Sequence, residues 1–238
     1  MTEVSSAMVL AAGYGTRMGA LTEEQPKPLL RAAGRTLLDH TLDHLEDAAI
    51  GHAVVNLHYR GAQIRAHLLD RATPRISFSD EQPEILDTGG GVVQALPFLG
   101  ASPFVTINSD AIFGGPNPVK TLVEAWDSAS AGLDALLLLV PKEQTHCYTR
   151  EGDFFWDQES RELRRRGDAP IAPFVYAGAQ IIRPEAYVQA PEGAFSNNLI
   201  WDRLLQAGRI GAAIYTGQWI DVGTPEGLTA ADSMLGCG

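Results

Sequence analysis

Seven short apolar runs punctuate the chain: AMVLA at 7–11, AVVNL at 53–57, ISF at 76–78, FVTIN at 104–108, ALLLLV at 135–140, GAQII at 178–182 and AAIYT at 212–216. Several are continuously apolar rather than alternating, the pattern of strands covered by helices on both faces. Between them the period changes. Leu38, Leu42, Leu45 and Ala49 recur every three to four residues, and Ile64 with Leu68 repeats the spacing after the second run, which predicts amphipathic helices. Strands alternating with helices predict βαβ units and an α/β, Rossmann-like, doubly wound, mostly parallel (mixed) sheet. The stretch 141–173 breaks this rhythm, being polar, charged and aromatic in turn (GDFFWDQESRELRRRGDAP), and reads as an inserted hairpin or lid-like lobe over the sheet edge. With no internal repeat and no long linker, a single domain over 1–238 is expected.

Composition narrows the picture. A hydrophobic content of 45% in 238 residues suffices for a sizeable core and excludes overall disorder. A formal charge of −11 argues against a general nucleic-acid binder, whose partner it would repel. The one dense basic run, Arg164 to Arg166, is flanked by Glu162 and Asp168 and reads as a solvated loop or strand edge. The longest apolar run, 135–140, is too short to span a bilayer, and no basic-then-apolar leader opens the chain, so a cytoplasmic protein without a membrane partner is expected. Cys147 and Cys237 have neither metal-type nor redox-type spacing. His40 and His44, four apart on a helix, lack the Glu and third ligand of a zinc enzyme and read as surface or packing residues.

Candidate chemistry begins at residues 10–30, LAAGYGTRMGALTEEQPKPLL. An apolar strand breaks into Gly13, Gly15 and Gly19, followed by Arg17 and by Lys27 between two prolines. Bare backbone N–H groups with cations close by suit a phosphate-rich ligand; the same glycines also serve an ordinary strand-to-helix turn with solvated cations. Asp110 follows the strand FVTIN and Ser109, and Asp221 stands between Ile220 and Val222 before Gly223. Each Asp alone reads equally as a turn or cap former. Together with a phosphate loop, the two make a site for one divalent cation bridging carboxylates and phosphates. A second cluster, Gly89 to Gly91, follows Leu86, Asp87 and Thr88; it reads as a helix-starting turn capped by Thr88, while Gln82 upstream offers a donor and an acceptor to a base edge.

The order L-A-A-G-x-G-T-R-M, P-K-P-L-L, Gln with L-x-T-G-G-G, N-x-D after an apolar strand, and W-x-D-V-G-T resembles the sugar-phosphate nucleotidylyltransferases over nearly the whole chain. Within that family the triple glycine, the length and the segment GQWIDVGTPEGL are most similar to the short, single-domain branch that uridylylates N-acetylmuramate 1-phosphate in peptidoglycan recycling. The resemblance implies an Mg²⁺-dependent transfer of a nucleotidylyl group from UTP to that sugar phosphate, giving nucleotide sugar and pyrophosphate, with no obligate protein partner. It implies a base and ribose wall at Leu10, Ala11, Ala12 and Gly13, and a triphosphate loop at Gly15, Thr16 and Arg17. Lys27 is implied at the reacting phosphates, and Gln82, Thr88 and Gly89 near the pyrimidine. Asn108, Asp153 and Gly178 are implied toward the sugar, beneath a lid at 141–173, and Asp110 and Asp221 on the metal. Departures are Tyr14 where many relatives have Lys, Ser109 where many have Gly, and the lack of a Glu-Lys-Pro element near the sugar. Glucose 1-phosphate thymidylyl or uridylyl transfer, phosphocholine cytidylyl transfer, or a non-catalytic nucleotide-sugar sensor are the alternatives.

Overall fold

The structure, a computed structural model, describes residues 4–128 and 132–236, so Cys237 lies outside it. The chain opens with β1 (Ser6–Leu10), the short strands β2 (Arg31–Ala32) and β3 (Arg35–Thr36), α1 (Leu37–Asp47), β4 (His52–Leu57), α2 (Gly61–His67) and β5 (Arg75–Asp80). It continues through α3 (Asp87–Leu99), β6 (Phe104–Asn108), β7 (Ala111–Gly114), α4 (Pro118–Ser128), β8 (Ala135–Pro141) and β9 (Thr145–His146). The last part holds β10 (Phe154–Asp157), β11 (Glu162–Arg165), β12 (Phe174–Ile182), α5 (Asn198–Gln206), β13 (Ile210–Ile214), β14 (Gln218–Asp221) and α6 (Pro225–Gly236). All seven apolar runs are strands. The helix expected from Leu38 onward is α1, and its start follows from Thr36, whose side chain accepts the Asp39 N–H at 3.0 Å.

β5, β4, β1 and β6 lie side by side in parallel. β12 then enters antiparallel to β6, β8 pairs antiparallel with β12, and β13 runs parallel to β8. The sheet is therefore mixed, with its parallel half at β5, β4, β1 and β6. Burial alternates along single strands: Ala7 and Val9 of β1 join Leu38, Leu42 and Ile64 in one core, whereas Met8 joins Val92 and Ile200 in the other. β8 divides likewise, with Leu136, Leu138 and Val140 on one face and Leu137 and Leu139 on the other. Helices α1, α2 and α4 thus cover one face and α3 and α5 the second, which is why these strands read as unbroken apolar runs.

The 141–173 stretch contains β9 and the β10–β11 hairpin, which joins the start of β12 through Phe154 opposite Phe174. A separate small sheet, ordered β7-β14-β9, sets Asp221 opposite Ala111. Met18, Ile112, Ile220, Val222 and Ala231 form a third, smaller core beneath it.

Candidate active site

β1 ends where the sheet's parallel half opens, and three hydrogen bonds fix that end. The Ser109 hydroxyl donates to the Leu10 carbonyl at 2.7 Å, the Ala11 N–H donates to Asn56 Oδ1 at 2.6 Å, and Asn56 Nδ2 donates to Glu81 Oε1 at 2.6 Å. The other oxygen of Glu81 accepts the Leu86 N–H at 2.7 Å. Glu81 is fully buried and Asn56 nearly so, so this chain of bonds ties the glycine loop to the start of α3 through the interior. Gly91 is small for the same reason: a Cβ there would lie 2.5 Å from Glu81 Oε1.

Beyond Ala11 the loop leaves its backbone open. Among the described residues, the N–H groups of Gly13, Tyr14 and Gly15 meet no acceptor of the chain. Gly15 has φ +66°, and a Cβ on it would sit 2.9 Å from Lys27 Cβ, so glycine lets the loop lie against the lysine. Tyr14, on the outer side, is hydrogen bonded to His58 Nε2 at 2.9 Å.

Lys27 reaches from the loop to Asp110 with Nζ 2.6 Å from Oδ2, and its side chain is only 10% exposed. The Val222 N–H donates to the Asp110 carbonyl at 2.9 Å, so backbone pairing holds Asp221 and Asp110 side by side. Burial and the Asp110 charge push the Asp221 carboxyl above the usual carboxylate range, with Lys27, Arg17 and Arg150 pulling the other way. Two carboxylates held together against their repulsion have the donor chemistry of a divalent-cation site. Among the described residues no three His, Cys, Asp or Glu side chains converge, so the chain offers a pair rather than a cage. Such a pair suits Mg²⁺, which takes one or two carboxylates and completes its shell with phosphate oxygens and water.

Two adjoining cavities open at this end of the sheet; Lys27 and Asp110 line the first, and Asp221, behind Asp110, lines neither. The first, about 330 Å³, is lined by Leu10, Ala11, Ala12, Gly13, Gly15, Thr16, Arg17, Lys27, Thr88, Asn108 and Asp110 among the expected residues. The second, about 360 Å³, shares Leu10, Asp87, Thr88 and Asn108 with it and adds Arg150, Asp153, Arg165, Tyr176, Gln180 and Trp201. Asp153 is fixed there by accepting the Tyr176 N–H at 3.0 Å and the Tyr148 hydroxyl at 3.3 Å. Burial and the Asp153 charge push the Tyr148 hydroxyl up to about 12.

Other expected residues sit elsewhere. Gln82 is exposed and lies outside the lining of both cavities. Gly89 donates its N–H to the Phe195 carbonyl at 2.8 Å and faces the Phe195 ring, where a side chain would collide. Gly178, at φ +78°, marks the irregularity in β12 and leaves room for Asn108, whose Nδ2 would be 3.0 Å from a Cβ. Thr88 does not cap α3: the helix starts at Asp87 with Leu86 before it, and the Thr88 hydroxyl accepts the Asn197 N–H at 2.9 Å instead. Tertiary pairing with the 193–197 segment displaces the local cap. Of the arginine run, only Arg165 lines either of these two cavities. Arg164 pairs with Glu162, and Arg166 donates to the carbonyls of Gly152 and Ala169. His40 bonds the Ala32 carbonyl at 2.9 Å and His44 packs edge-on against Phe113, both in packing roles. Cys147 is exposed and unpaired among the described residues. Asn56, Glu81 and Arg150 escaped sequence reasoning; only Asn56 gave a signal, as the one polar residue within AVVNL.

Residues 7–175 match the model of the MobA-like NTP transferase domain family. Over 235 residues the chain is 39% identical to the N-acetylmuramate alpha-1-phosphate uridylyltransferase of Caulobacter vibrioides, covering 96% of each chain. It is 32% identical over 238 residues to the enzyme of the same name from Neisseria meningitidis, covering 97% of this chain and 98% of that one. The fold is shared with a UDP-glucose pyrophosphorylase crystallised with UDP-glucose, at a TM-score of 0.79, 15% identity and 99% coverage of both chains. No described helix is long and apolar enough to cross a membrane.

Proposed function

The chain belongs to the MobA-like NTP transferase domain family, and from that membership we propose that it transfers a uridylyl group from UTP to N-acetylmuramate 1-phosphate, giving the UDP-sugar and pyrophosphate. The observation that carries the reading is the first cavity, where a phosphate-type loop, Arg17, Lys27 and Asp110 share one lining and Asp221 stands beside Asp110, while a second cavity adjoins it at Leu10, Thr88 and Asn108. Similarity over nearly the whole chain, at 39% and 32% identity, to two uridylyltransferases of that name supports the choice of base and sugar. A product of this kind fits the reuse of cell-wall sugars in the cytoplasm, where UTP is made.

In this reaction an oxygen of the sugar phosphate attacks the α-phosphorus of UTP, and the bond from that phosphorus to the bridging oxygen of pyrophosphate breaks. The nucleophile is already deprotonated at neutral pH, so no general base is required. Alignment and charge neutralisation remain as the tasks of the protein. The open N–H groups of Gly13, Tyr14 and Gly15 receive triphosphate oxygens, and Arg17, whose guanidinium lies against Gly223 next to Asp221, adds positive charge in the same cavity. Lys27 neutralises the reacting phosphates once it turns from Asp110 toward them. Asp110 and Asp221 would hold Mg²⁺, which supplies positive charge to the phosphate oxygens when bound. Gln82, exposed in this structure, reaches the pyrimidine edge only if its segment closes over the base.

A panel of nucleoside triphosphates against sugar 1-phosphates, read by pyrophosphate release with and without Mg²⁺, tests the proposal. UTP with N-acetylmuramate 1-phosphate should give the highest kcat/KM, and release should stop without Mg²⁺. Better use of ATP or GTP would overturn the base assignment. Equal or better use of N-acetylglucosamine or glucose 1-phosphate would overturn the sugar assignment.

A further inference from the structure

The second cavity poses a charge problem: Asp87 and Asp153 line it, yet the sugar phosphate that must enter is an anion. Two arginines share the lining. Arg165 is already committed, with Nε donating to Asp202 Oδ1 at 2.9 Å, an amino group donating to the Asn198 carbonyl at 3.3 Å, and its guanidinium set over the Phe154 and Trp201 rings. Arg150 makes no ion pair or side-chain hydrogen bond among the described residues, and its guanidinium lies 5.1 Å from the centre of the Tyr148 ring.

The position of Arg150 is set from two sides. Behind it, the Ala172 N–H donates to the Glu151 carbonyl and the Asp153 N–H to the Phe174 carbonyl, each at 2.8 Å, so the chain next to Arg150 is stitched to the edge of β12. Below it, Tyr148 packs edge-on against Trp219 at 6.1 Å, and Trp219 lies on the same side of β14 as Asp221, two residues on. Arg150, Tyr148 and Trp219 thus form a chain of contacts from the cavity wall to the buried face of β14, the face on which Asp221 also lies.

We propose that Arg150 is the cation that receives the phosphate of the sugar 1-phosphate in the second cavity and turns it toward the carboxylate pair for attack. The assignment rests on the transferase reading above. A guanidinium stacked on Tyr148 keeps its planar fork free for two phosphate oxygens, while the ring limits where the fork can point. Loss of the fork weakens capture of every sugar 1-phosphate, whatever its ring substituents, and leaves the uridine triphosphate end untouched.

The test is steady-state kinetics of Arg150→Gln and Arg150→Lys with N-acetylmuramate 1-phosphate and with N-acetylglucosamine 1-phosphate, which lacks the lactyl carboxylate. Arg150→Gln should lower kcat/KM for both sugars by roughly tenfold to a hundredfold, the loss of a charged hydrogen-bond pair. KM for UTP should hold, and Arg150→Lys should recover part of the activity. A loss confined to N-acetylmuramate 1-phosphate would overturn the proposal, because Arg150 would then read the carboxylate. An unchanged KM and kcat for both sugars, or an equal rise in KM for UTP, would overturn it as well. Arg150 is exposed, so the variants should melt with the wild type. The two readings fail separately: a wild-type protein that forms no nucleotide sugar removes the transferase, whereas an active wild type beside an unimpaired Arg150→Gln removes the role of Arg150.

Discussion

Asn56→Ala should weaken the fold and the nucleotide site together. The amide accepts from the Ala11 N–H and donates to Glu81 Oε1, each at 2.6 Å, and it is 3% exposed. Truncation leaves a buried N–H and one oxygen of a buried carboxylate without partners. Each unmade buried bond costs about 1–3 kcal/mol, with the charged group at the upper end. A water entering the vacated amide space restores part of this, so a net loss of about 2–4 kcal/mol is expected, against a total stability of about 5–15 kcal/mol for a typical domain. The variant should fold, with a lowered urea midpoint followed by tryptophan fluorescence. Because the same bonds hold Ala11 and the start of α3, KM for UTP should rise while KM for the sugar phosphate changes less. Asn56→Asp should be worse than Asn56→Ala, since it sets a second carboxylate against Glu81. A variant within about 0.5 kcal/mol of wild type in urea, with an unchanged KM for UTP, would refute the view that this hub carries load.

Asp110→Asn should abolish most Mg²⁺-dependent turnover in a folded protein, because one carboxylate charge is lost without a change of shape; near wild-type pyrophosphate release would sink the metal assignment. In the same variant the Asp221 carboxyl should fall toward its ordinary range, measurable by NMR titration, since the Asp110 charge no longer opposes its ionisation. His44 is held down to about 4, chiefly by burial, from an ordinary 6.5. Its neutral form therefore contributes stability that is complete above about pH 6.5 and is lost as pH falls toward 4, by about 1–3 kcal/mol. Urea midpoints across that window should show a slope that His44→Gln flattens, and an unaltered slope would count against it. Gly15→Ala should cost about 1–2 kcal/mol for its left-handed backbone and, by pressing on Lys27, lower kcat; a thermal melt and a turnover assay that both match wild type would contradict this.

The strands were legible because being covered on both faces leaves unbroken apolar runs, and α1 because Leu38, Leu42 and Leu45 keep its period. Direction was not legible for β8 and β12, since ALLLLV and GAQII read alike in parallel and antiparallel ladders. Lys27 and Asp110 were legible as chemistry because their neighbours are distinctive: prolines around one, an apolar strand before the other. The triple glycine was visible as a cluster, yet the requirement at Gly89 and Gly91 comes from Phe195 and Glu81, brought in by tertiary folding. Arg150 stands in a charged, irregular stretch with no period, and only the stack on Tyr148 and Trp219 sets it apart.

The small sheet has a temporal side. Asp110 precedes β7 in the first half of the chain, whereas Asp221 ends β14, which only α6 follows among the described elements. A polypeptide growing from its N-terminus therefore owns the glycine loop, Arg17, Lys27 and one carboxylate long before the second arrives. On the proposed reading, a chain ending short of residue 218 would carry the loop, Lys27 and Asp110 but not the second carboxylate, so turnover should first be possible only once β14 has been made.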